Sequence, residues 1–88
     1  MQLANFMEEI VEKTLVELLQ DQAYRSLNLD EKAKLDILAY ALNQLPPRYA
    51  VTEKGLLYTR LNELKQQFTT DIIVELTKAI KLVQANPR

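Results

Sequence analysis

A chain of 88 residues with formal net charge −1 has room for one domain and a modest core, and it lacks the basic surface a general nucleic-acid binder needs to displace phosphate counterions. Hydrophobic residues make up 48% of it and glycine occurs once, which excludes a disordered polypeptide. With no cysteine and no histidine, disulfides, zinc-thiolate sites and every nucleophile–histidine pair are excluded as well.

The first element in chain order is a helix. Asn5 is a good N-cap, and Glu8 three residues later would complete a capping box. Met7, Ile10, Val11, Leu15, Leu18 and Leu19 recur at helical spacing, with Glu8, Glu9, Glu12, Lys13 and Glu17 on the other face. The helix is expected to reach about Asp21, and residues 22–27 read as a short connection. Asn28 with Glu31 suggests a second capping box. The helix it would open carries Leu35, Leu38, Leu42 and Leu45 on one stripe. Leu45 must end it, because the residue before a proline is pushed out of the α region and Pro47 extends the stop.

Arg48 to Val51 reads as extended, and Thr52 as the cap of a third helix. From there one apolar phase runs through Leu57, Leu61, Leu64, Phe68, Ile72, Leu76, Ala79 or Ile80, and Val83. Thr69-Thr70-Asp71 is its weak point, so one long helix and two helices parted near Thr70 both fit. The helix should stop near Ala85, before Asn86-Pro87-Arg88. No strand pattern and no repeat is visible. The expected fold is all-α, a compact bundle of three to four helices forming one domain over residues 1–88.

No run approaches the roughly 20 apolar residues of a membrane span. Met1-Gln2-Leu3 lacks the basic start and apolar core of a signal peptide. The expectation is a cytoplasmic protein with neither membrane nor direct nucleic-acid contact.

Glu8, Glu9, Glu12 and Glu17 could be read as a carboxylate cluster for metal or acid–base work. They occupy the solvated face of an amphipathic helix, with no histidine to complete a di-metal set, so neither a metal site nor a catalytic one is expected.

The stretch from Lys34 to Tyr49 is more informative. At 100° per residue Asp36, Tyr40 and Asn43 share a face next to the leucine stripe, and Arg48 and Tyr49 emerge where the helix stops. A carboxylate, a carboxamide, a guanidinium and two phenol rings would then converge at one helix end. This set suits a planar, hydrogen-bonding ligand, stacked on a ring or guanidinium and held through its N–H groups by the carboxylate. It equally suits a turn in which Asp36 and Asn43 only satisfy backbone groups. Ile37 and Ala41 form a second apolar patch, which in so short a chain suggests another subunit.

Asp36-Ile37, Ala39 and Ala41-Leu42-Asn43-Gln44-Leu45-Pro46-Pro47-Arg48-Tyr49 together resemble the signature of the ComFB family of late competence development proteins. The likeness extends to Asn5 and Glu8 before it, and to Asp71-Ile72, Lys78-Ala79-Ile80, Val83 and Asn86-Pro87-Arg88 after it. It implies a small helical homodimer. Some members bind zinc through cysteines ahead of the Asp-Ile pair, where this chain has Asp30-Glu31-Lys32-Ala33-Lys34 and no cysteine, so zinc is not implied. Cysteine-free members look like the cyanobacterial branch, whose proteins are receptors for the second messenger cyclic di-GMP. The resemblance therefore implies a non-enzymatic cyclic di-GMP receptor that signals to an unidentified regulatory partner. Arg48 and Asp36 would meet a guanine, Tyr40 or Tyr49 would stack, Lys34 and Arg88 would meet phosphates, and Asn43 would border the site. The alternative is an adaptor in competence or related regulation that has no nucleotide ligand.

Overall fold

The structure, a computed structural model, describes residues 1–85, and for residues 2, 52, 54–60 and 62 it describes the backbone alone. The element order is β1 (Gln2–Asn5), α1 (Phe6–Leu19), α2 (Gln22–Arg25), α3 (Glu31–Gln44), β2 (Tyr49–Thr52) and α4 (Lys54–Ala85). The expected helical bundle is present, and the length of α4 gives it an elongate shape of 40 × 24 × 21 Å.

The first three helices each begin where an acceptor side chain meets an orphan amide. Asn5 caps α1 by accepting from the Met7 N–H at 3.2 Å, as its residue type predicts. The start of α3 differs from expectation. Its cap is Asp30, whose Oδ1 accepts from the Ala33 N–H at 2.8 Å, so the helix begins two residues later than an Asn28 cap would place it. Both residues can cap, but a carboxylate also favours the positive helix N-terminus. The connection over residues 22–27 contains the short α2, capped by Asp21.

α3 ends where the prolines require, with Leu45 already extended at φ −103°, ψ 139°. Beyond them the chain forms a strand. β2 pairs antiparallel with β1 in the register Leu3↔Val51, Ala4↔Ala50, Asn5↔Tyr49. Four-residue strands are too short to show a period, which explains why alternation along the sequence does not reveal them. Ala4 and Ala50 turn inward against the core. Leu3 (68% exposed), Tyr49 and Val51 (66%) share the outward face.

α4 is one continuous helix of 32 residues with no break at Thr69-Thr70. The Thr69 hydroxyl donates to the Lys65 carbonyl, the usual way a threonine is absorbed inside a helix. Thr52 and Leu57 lie outside the described side chains, and residues 86–88 outside the described chain.

The core joins Phe6, Met7, Ile10, Val11 and Leu15 of α1 to Leu61, Ile72, Leu76, Ala79 and Ile80 of α4, with Ile37, Ala41 and Leu45 of the α3 segment between them. Here a second expectation is corrected. The buried stripe of α3 is Ile37-Ala41-Leu45, whereas Leu38 and Leu42 are only partly buried and Leu35 is 58% exposed. Both stripes obey the helical period, so periodicity cannot choose between them. Packing does, since the Ile37-Ala41-Leu45 line is the one enclosed by α1 and α4.

Candidate functional site

The region around the Pro46-Pro47 stop is a brace between distant parts of the chain. The Asn5 side-chain oxygen accepts from Met7 and also from the Arg48 N–H at 3.0 Å, while the Phe6 N–H donates to the Arg48 carbonyl at 2.9 Å. The start of α1, the start of the ribbon and the end of α3 are thereby tied through one carboxamide. The Arg48 guanidinium carbon sits 4.1 Å from the centroid of the Phe68 ring, a cation–π contact. Its buried Nε has no hydrogen-bond partner among the described residues.

The residues expected to converge on a ligand do not meet within one chain. Asp36 lies in a hollow of about 340 Å³ between the 27–30 loop, the first turns of α3 and Val83-Gln84 of α4. There it accepts from Lys32 at 3.1 Å, an i,i+4 pair at the rim. Arg48 is on Phe68, and Val83, which lines the Asp36 hollow, is fifteen residues further along α4, a rise of about 22 Å between those two α4 positions. Lys34 faces a different hollow, between α1 and α3. Tyr40 is packed against the core, Asn43 is exposed, and Tyr49 is exposed on the ribbon. Arg88 lies outside the described residues. Asp36, Tyr40 and Asn43 share one side of α3, whereas the Arg48 side chain lies on Phe68 of α4.

The hollow between α1 and α3 is the feature that reading the residues one helix at a time misses. It measures about 420 Å³. Leu15, Leu19 and Leu38 line it beside Val16 and Leu35, and Glu12, Glu31, Lys34 and Gln20 surround them. Val16 is 55% exposed although it lies on an otherwise amphipathic helix. The only signal in the sequence is a surplus of apolar positions on α1 and α3, more than one stripe each requires.

Comparison with known proteins agrees with this architecture. The family described as "Late competence development protein ComFB" matches residues 4–87. The chain belongs to the ComFB family. It is 29% identical over 80 residues to the "Competence protein ComFB" of Bacillus subtilis (strain 168), covering 91% of this chain and 81% of that one. It also superposes on a solved structure of the late competence protein ComFB from Bacillus subtilis with a TM-score of 0.74 at 25% identity, covering 99% of this chain and 93% of the other. Of the residues that carry the ComFB resemblance, Ile37, Ala41 and Leu45 are buried in the core, and Pro46, Pro47 and Arg48 form the brace. Among the described residues no helix is long and apolar enough to cross a membrane.

Proposed function

We propose that this ComFB chain is a non-enzymatic regulatory protein of competence-type control that works from the cytoplasm by contact with other proteins. The observation that carries this is the apolar surface kept outside the core: Leu3, Tyr49 and Val51 on one ribbon face, and Val16 and Leu35 beside the α1–α3 hollow. A ribbon this small needs inward-facing residues for its own stability, and Ala4 and Ala50 supply them. Leu3, Tyr49 and Val51 stay outside the core, and grouped apolar exposure of this kind is typical of contact surfaces. The test is genetic. In a strain lacking the chain, DNA uptake falls and wild-type protein restores it. A double variant Leu3→Asp, Val51→Asp that folds by circular dichroism fails to restore it. Full restoration by that variant together with a folded Val16→Asp, Leu35→Asp variant would remove the reading.

A second reading is a cyclic di-GMP receptor. It is supported by the resemblance to cysteine-free members and by Arg48, whose guanidinium is backed by Phe68, a residue type suited to guanine O6 and N7. Because Asp36 and Arg48 are far apart, a ligand touching both would draw them from two subunits of a homodimer, in keeping with its own two-fold symmetry. Calorimetry with cyclic di-GMP, cyclic di-AMP and GTP separates the readings. No heat with any of them supports the adaptor. Heat with cyclic di-GMP alone, abolished by Arg48→Ala with Asp36→Ala, supports the receptor.

A further inference from the structure

We infer that the α1–α3 groove receives an amphipathic helix of a partner protein whose apolar face is flanked by lysine or arginine. This rests on the contact-protein reading above and names the partner's chemistry at one surface.

Three features specify the occupant. The first is shape and polarity, since two packed helices leave a trough floored by Leu15, Leu19 and Leu38 and walled by the half-exposed Val16 and Leu35. A third helix seated there would pack as helices do in bundles and in helix-in-groove complexes. The second is length. From Glu12 to Gln20 the α1 wall spans about 12 Å, which matches the roughly 10.5 Å between the first and last anchors of an i, i+4, i+7 set.

The third feature is charge. Glu12 stands on the α1 wall and Glu31 on the α3 wall, so the trough has a carboxylate on each side. Glu8 and Glu9 extend the acidic wall by one turn of α1, and all four are exposed. Lys34 is the one cation lining the trough among the described residues, leaving the rim acidic. A helix with cations on both flanks of its apolar face meets a carboxylate on either side, and a helix flanked by acids is repelled. The exposed face of α4 beyond Asp71 does not offer this pattern. The outer part of α4 mixes Asp71 and Glu75 with Lys78 and Lys81, and Lys78 is already paired with Glu75 at 3.5 Å. The acidic rim therefore favours a cationic helix of another protein, and a second copy in the groove is one of the outcomes the test separates.

Two labelled 16-residue helical peptides test the inference, sharing one apolar leucine face and differing only in lysine or glutamate at every other position. Fluorescence anisotropy with the full chain should show at least tenfold tighter binding of the lysine peptide. Amide shifts in ¹H–¹⁵N spectra should centre on Val16, Leu35 and Leu38. Leu35→Asp, at an exposed site that leaves the fold intact, should weaken the lysine peptide at least tenfold. Glu12→Lys with Glu31→Lys should reverse the preference. Equal or absent binding of the two peptides, or lysine-peptide binding that survives both variants, overturns the inference. So does a Leu35→Asp variant that changes only the oligomeric state, because the groove then holds a second copy. If the groove fails while the Leu3 and Val51 variants still abolish DNA uptake, the contact-protein reading stands and only its partner site moves.

Discussion

The two flanks of α3 do opposite things with similar residues. One flank buries Ile37, Ala41 and Leu45 against α1 and α4 and has no room to spare. The other carries Leu35 and Leu38 along an open trough shared with α1. Both are apolar and both have the helical period, yet only one is core. In a chain this small, apolar residues beyond what one core face needs mark where the protein touches something else. The proposed protein contact uses the open flank, whereas the brace at Pro46-Pro47 ties the ribbon to α1.

Substitutions sharpen this contrast, beginning with the sealed side. Leu76→Ala, on the α4 surface that faces it, should lower stability by about 2–5 kcal/mol in urea denaturation, because the cavity adds to the lost transfer energy. Asn5→Ala comes next, at roughly 1–3 kcal/mol, since it deprives both the Met7 and Arg48 N–H groups of their acceptor. Asn5→Asp, which keeps an acceptor oxygen, should recover most of that loss. Arg48→Lys should cost about 0.5–2 kcal/mol through poorer stacking on Phe68. Lys32→Ala, beside the open Asp36 hollow, should change stability by less than about 0.5 kcal/mol, because the pair it breaks is solvent-screened. A large loss there would mean that the hollow is part of the stabilising framework and not an open surface.

Much of the fold is legible in the residues themselves. The α1 and α4 stripes, the Asn5 cap and the halt at Leu45 all rest on local rules, and local rules suffice for them. Three features lie beyond such rules. The ribbon depends on residues 2–5 meeting residues 49–52, a pairing no window of neighbours contains. The choice of Ile37 over Leu35 depends on where α4 lies. The contact of Arg48 with Phe68 joins the turn after Pro47 to α4, again a pairing of residues distant in sequence. For the same reason the candidate site is the least legible part: a groove belongs to two helices at once, and only their packing makes it visible. The family resemblance is legible because it is linear.

The division of α3 into a sealed and an open flank is tested most directly by urea denaturation of Ile37→Ala beside Leu35→Ala. The account predicts a loss of about 2–4 kcal/mol for Ile37→Ala and a value within about 0.5 kcal/mol of wild type for Leu35→Ala. Equal losses, or a larger one at Leu35, would contradict it, because Leu35 would then belong to the core and leave no open flank for a partner.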